Sequence, residues 1–92
     1  METKGRTAVI TGGASGIGAA LAEAMVADGG RVVIVDINKD AAEAHAARLG
    51  DAALAIACNV ADVAGVEAMA GEAWNWLGGV DLVFANAGVS VA

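Results

Sequence analysis

The chain is short of charge, of cysteine and of histidine, and each shortage closes off a class of function. Charged residues make up only 17% of the 92 residues, and the five basic ones form no cluster in a chain of net charge −6. Binding nucleic acid by neutralising phosphates is therefore not expected. A single cysteine, Cys58, excludes an internal disulfide and fits a reducing compartment. One cysteine and one histidine cannot supply a zinc site. No apolar run approaches the ~20 residues that a membrane-spanning helix needs. The opening residues, Met1 to Arg6, lack the apolar core of a signal peptide. The expectation is a soluble, cytoplasmic protein with neither nucleic acid nor membrane as partner.

What is abundant is small and apolar. Hydrophobic residues reach 58%, the mean hydropathy is +0.63, and alanine is the commonest residue. A chain this short forms one domain at most and buries roughly 60–65% of its unfolded surface. With so little polar surface it is expected to expose apolar patches. That composition predicts a partner, either further chain or a second copy in a homo-oligomer.

Thr11-Gly-Gly-Ala-Ser-Gly-Ile-Gly18 is the stretch around which the chain is organised. A β-branched run, Ala8 to Thr11, precedes it, and Ile17, Ala20, Leu21, Ala24 and Met25 follow at helical offsets. Strand, glycine turn and helix together make an anion cradle: the glycines bring backbone close to a ligand, and the helix start offers N–H groups and a positive dipole end. The helix is expected to run to about Asp28 and to end at Gly29-Gly30.

The same alternation continues. Residues 31–35 read as a second strand buried on both faces, ending in Asp36. Asn38 or Asp36 can cap a helix over 39–49, with Ala42, Ala46 and Leu49 inward, His45 half-exposed on the flank, and Gly50 as the stop. A weaker third strand is expected over 53–57, and a third helix, capped by Asp62, runs to Leu77. Its inner face is read as Val66, Ala70, Ala73 and Leu77, with Trp74 and Trp76 packing at the rim. A fourth strand follows over 80–85. This order predicts an α/β fold over residues 1–92, with a parallel sheet of strand order 3-2-1-4, the first half of a doubly wound Rossmann fold.

Ligands of such sheets sit at the carboxyl ends of the strands, where the polar residues gather. Asp36 lies 18 positions after Gly18, close to the place of a ribose-binding acid. Its carboxylate can accept from both ribose hydroxyls and would repel a 2′-phosphate. Ile37 follows it and no Arg or Lys stands in the glycine turn, so NAD is preferred to NADP. Asn59 and Val60, after strand 3, would lie at the adenine edge. Asn86, Ala87 and Gly88, after strand 4, would approach the far ribose; Asn86 can equally stitch neighbouring strands together.

These residues resemble the short-chain dehydrogenases/reductases. Thr11 to Gly18 is similar to that family's T-G-x-x-x-G-x-G cofactor motif, and Asn86-Ala87-Gly88 to the end of its N-N-A-G motif. Asp36 and the Asn59-Val60 pair match the adenosine side of its NAD site. Asn59 stands where Asp is usual, and Ala85 where the first Asn of N-N-A-G is usual. The candidate cofactor contacts are thus Gly12, Ser15, Gly16, Ile17, Gly18, Asp36, Ile37, Asn59, Val60, Asn86, Ala87 and Gly88. The resemblance implies hydride transfer between NAD and an alcohol or carbonyl compound, carried out by a Ser and a Tyr-x-x-x-Lys pair in the second half of proteins of roughly 250 residues. This chain has no tyrosine, and its two lysines, Lys4 and Lys39, are far from the expected site. No catalytic residue is assigned. The expected role is the cofactor-binding N-terminal portion of an NAD-dependent oxidoreductase; the alternative is a stand-alone or self-associating half-Rossmann module without catalysis.

Overall fold

A computed structural model describes residues 5–14 and 16–85. Four strands and three α-helices alternate: β1 (Thr7–Thr11), α1 (Gly16–Ala27), β2 (Arg31–Asp36), α2 (Lys39–Leu49), β3 (Ala53–Ala57), α3 (Val63–Leu77) and β4 (Leu82–Ala85). A 3₁₀ turn, Gly50–Ala52, lies between α2 and β3. The sheet is parallel throughout, in the order β3-β2-β1-β4. Its register aligns Thr11 with Val35 and with Ala85, and Asp36 with Ala57, so all four strands end at one edge of the molecule.

The strands' period of two divides the core into two layers. Ala8, Ile10, Val32 and Ile34 face α1 and α2, where they meet Ala22, Met25, Ala42 and Ala46. Val9, Val33, Val35 and Ile56 face α3 and meet Met69, Ala73 and Leu77. Full burial of each large side chain contributes about 1.5–3 kcal/mol. β1 and β2 are buried on both faces as their unbroken apolar runs require, whereas the edge strand β3 buries only Ile56.

Helix ends follow local chemistry. α1 closes with Gly30 N–H donating to the Met25 carbonyl at 2.8 Å and Gly29 N–H to that of Val26 at 3.0 Å, the paired bonds of a Schellman motif. Asn38 caps α2 by accepting from Ala41 N–H at 3.0 Å. Asp62 occupies the cap position of α3 without a side-chain cap bond. β4 begins at Leu82, two residues later than the apolar run suggested. Asp81 is turned instead to the start of β1, where its carboxylate accepts from Thr7 N–H at 2.9 Å. Trp76 packs at the rim under Arg31, whose guanidinium lies 4.2 Å from the ring centroid and donates to the Trp76 carbonyl at 3.0 Å.

Three side-chain readings change. The buried stripe of α1 is Gly18, Ala22 and Met25, with Leu21 partly buried, and Ile17, Ala20 and Ala24 face outward. Apart from Glu23 the helix carries no polar side chain, so its pattern fixes the period but not which side turns inward. In α3, Met69 is buried and Ala70 exposed. His45 is not half-exposed: only 2% of it reaches solvent.

Candidate functional site

The strand ends bring the polar residues together as the topology requires. β1 stops at Thr11, whose hydroxyl donates to the Phe84 carbonyl of β4 at 3.3 Å. The chain then turns through Gly12, at φ 66, and reaches α1 through Gly16, at φ 58; both angles suit glycine. Gly13 is needed for a different reason. A Cβ there would lie 2.9 Å from the Ile10 carbonyl oxygen and 3.0 Å from Ile34 Cγ2, so the turn is pressed onto the sheet. Its N–H donates to the Val35 carbonyl at 3.2 Å, which extends the β1–β2 pairing into the turn.

Asp36 joins two parts of this edge. One carboxylate oxygen accepts from Asn38 N–H at 3.0 Å, within its own turn. The other accepts from Ala14 N–H, in the glycine turn, at 3.3 Å. Of the two possible caps of α2, Asn38 is therefore the one used, and Asp36 ties the end of β2 to the glycine turn. A carboxylate has about four lone-pair sites. These two bonds leave it able to accept from further donors.

The first turn of α1 supplies the rest. Its N–H groups have no intrahelical acceptors, and neither an acidic side chain within that turn nor a basic one in Thr11 to Gly18 alters the charge they present. An anion placed there would be held by main-chain donors and the helix dipole, worth about 0.3–1 kcal/mol and up to ~2 when partly buried. Gly18 is buried, which lets α1 run close to the sheet. Asn59, after β3, folds its own loop: its side-chain oxygen accepts from Ala61 N–H at 3.0 Å and its carbonyl from Asp62 N–H at 2.9 Å. Ile17, Ile37 and Val60 are 71%, 72% and 45% exposed, unusual values for large apolar residues. Ile17 stands in the first turn of α1, and Ile37 and Val60 follow the ends of β2 and β3. Ser15, Asn86, Ala87 and Gly88 lie outside the described residues.

The sequence did not single out Gly13 and Ala14, which the structure adds to this edge. Gly13 was visible only as part of the glycine run. Ala14 takes part through its backbone, which no side-chain motif reports.

A parallel 3-2-1-4 sheet, with a glycine turn opening the helix after β1 and a carboxylate closing β2, defines the first half of a doubly wound nucleotide-binding fold. Comparison with known proteins narrows that class. The family model for short chain dehydrogenase matches residues 6–92. The chain belongs to the short-chain dehydrogenase/reductase family. It is 48% identical over 87 residues to sorbitol dehydrogenase of Cereibacter sphaeroides, covering 95% of this chain and 34% of that protein. It is 42% identical over 88 residues to 2-dehydro-3-deoxy-L-rhamnonate dehydrogenase (NAD(+)) of a Sphingomonas species, covering 96% of this chain and 35% of that one. The crystal structure of 3-ketoacyl-(acyl-carrier-protein) reductase from Brucella melitensis complexed with NADH superposes with a TM-score of 0.86 at 40% identity, over 89% of this chain and 34% of that chain. The chain thus spans about a third of the length of the relatives it matches.

Proposed function

We propose that these 92 residues hold the adenosine diphosphate part of NAD for an oxidoreductase that moves a hydride between NAD and an alcohol or carbonyl substrate. One observation carries the reading: Asp36 joins a ribose-accepting carboxylate to the phosphate-facing glycine turn through Ala14 N–H. The residues fit the group. Gly12, Gly16 and Gly18, with the start of α1, would take the pyrophosphate. Asp36 would accept from the ribose hydroxyls, and a 2′-phosphate would meet its charge at close range. Ile17, Ile37 and Val60 offer apolar surface to the adenosine, and the Asn59 oxygen keeps a lone pair for the adenine amino group. Ser15, Asn86, Ala87 and Gly88 complete the proposed contact set from the motif alone. When bound, NAD supplies the hydride acceptor. Proton transfer on the substrate is not carried by these residues alone, since they include no tyrosine. The bound NADH in the reductase structure and the NAD(+) in the rhamnonate enzyme's name support this choice of cofactor.

Calorimetric titration with NAD, NADP, ADP and AMP tests it. NAD and ADP should bind, and NADP at least tenfold more weakly than NAD. Equal affinity for NAD and NADP would overturn the reading of Asp36. A folded sample that binds neither NAD nor ADP would overturn the proposal as a whole.

Self-association is a second proposal with its own observation. Among the described residues β4 pairs with β1 alone, and Val83 on it is 67% exposed beside an apolar groove. Such an open apolar edge favours pairing with a second copy. Light scattering should show a dimer or larger species that Val83→Lys shifts towards monomer. A sharp monomer at high concentration would sink the idea.

A further inference from the structure

His45 is the buried polar side chain of the described core, and the dinucleotide site as read above makes no use of it. It lies between α1 and α2, in contact with both. Its Nδ1 is 2.8 Å from an Arg48 guanidinium nitrogen. Arginine can only donate, so Nδ1 must be the acceptor. Its Nε2 faces two acceptors on α1, the Ala19 carbonyl at 3.3 Å and a Glu23 carboxylate oxygen at 4.0 Å. Nε2 must therefore carry the proton. The surroundings on both sides select one tautomer, and that tautomer bonds α2 to α1.

The location of that bond matters more than its strength. Ala19 is three residues from Gly16, at the end of α1 that faces the glycine turn. α2 begins at the Asp36–Asn38 turn, which its Asn38 cap holds in place. His45 therefore spans the two elements that carry the ribose-facing and phosphate-facing groups. It complements the bond between Asp36 and Ala14 N–H, which joins the same two elements at the sheet edge. Ala42 and Ala46, its neighbours on α2, are small, so the hydrogen bond adds a directional link to the packing of this layer.

We infer that His45 is a positioning residue for the dinucleotide: through the Ala19 carbonyl it sets the phosphate-facing start of α1 relative to the ribose-binding turn. The inference rests on the reading of this edge as an adenosine diphosphate site. Long-range ¹⁵N–¹H spectra of the unsubstituted chain test its first part, and the neutral ring should show the Nε2–H pattern. An Nδ1–H pattern would overturn the inference without any variant. Affinities for ADP and adenosine test the second part. His45→Leu should weaken ADP by about three- to tenfold, the range of one net hydrogen bond, and leave adenosine, which lacks phosphate, much less affected. His45→Gln can still donate to Ala19 and should bind ADP like the unsubstituted chain. Should the Leu variant fail to fold, the tautomer still decides, and a His45→Gln variant that loses ADP but not adenosine would overturn the inference as well. ADP and adenosine falling by the same factor would mean simple destabilisation and would overturn the inference. If the unsubstituted chain binds ADP and His45→Leu matches it, the inference alone fails; if the unsubstituted chain binds no ADP, the dinucleotide reading fails and this inference with it.

Discussion

The two faces of the sheet are covered to different extents, and the candidate site draws on both: the glycine turn and Asp36 lead into the better-covered one, while Val60 borders the groove on the other. α1 and α2 lie side by side on one face and bury Ala8, Ile10, Val32 and Ile34 beneath them. Among the described residues the other face carries α3 alone, and a groove of about 630 Å³ remains beside it, bordered by Val9, Val60, Met69, Trp74 and Val83. Crossover handedness explains the inequality. The chain moves outward from β1 to β3 by two right-handed crossovers, which put both helices on one face, and returns to β4 by a single one, which puts α3 on the other. One helix is about 10–12 Å wide. Four strands spaced at ~4.8 Å are wider than that. The glycine turn leads into α1 and Asp36 leads into α2, so both stand on helices packed side by side, and the open groove lies on the far side.

Unequal mutational cost is the largest consequence. Ile34→Ala, beneath α1 and α2, should destabilise the chain by about 2–5 kcal/mol, enough to threaten a fold whose whole stability is ~5–15 kcal/mol. Val83→Ala, at the open groove, should fall within about 0.5 kcal/mol of the unsubstituted chain at concentrations low enough to keep it monomeric. Urea denaturation measures both. Equal costs would mean that the groove is filled in solution.

Binding should divide along the same line. Asp36→Asn removes the charge that Ala14 N–H meets and that the proposed ribose hydroxyls would meet, and hydrogen bonds to charged groups are worth about 1.5–3 kcal/mol. NAD affinity should fall about ten- to a hundredfold, with discrimination against NADP reduced. Val83→Ala should leave NAD affinity unchanged. Calorimetry on the two variants compares them directly, and a loss of NAD binding on Val83→Ala would mean that the two faces are coupled.

The sequence made the topology legible because each strand, turn and helix has its own local signal. Unbroken β-branched runs mark β1 and β2, and glycines end all three helices. Asp36 was legible as the polar residue that closes β2, where the structure ties it to the glycine turn. Side-chain orientation was harder to read. α1 is apolar almost all round, so its helical offsets did not tell which side turns inward, and Ile17, Ala20 and Ala24 lie outside. His45 was read on the flank of the stripe of Ala42, Ala46 and Leu49 and half-exposed, whereas the fold buries it. The missing information was tertiary: Ala19 and Arg48 satisfy both ring nitrogens, and only a folded chain shows an acceptor and a donor on opposite sides of the ring.

Two glycines set the smaller contrasts, with opposite signs. Gly30 lies where α1 turns into β2, and a Cβ there would meet the Arg6 carbonyl oxygen at 2.7 Å and that of Met25 at 2.9 Å. Both atoms are backbone and cannot move aside cheaply, so Gly30→Ala should cost about 1–3 kcal/mol, as overpacking does. Gly71 sits inside α3, exposed, and a Cβ on it would find nothing within 4 Å. There the substitution only removes glycine's excess freedom in the unfolded chain, so Gly71→Ala should stabilise by about 0.5–1 kcal/mol. Thermal melts of the two variants should shift in opposite directions. A destabilising Gly71→Ala would show that α3's outward side packs against something in solution, which would remove the asymmetry between the faces at its least covered element.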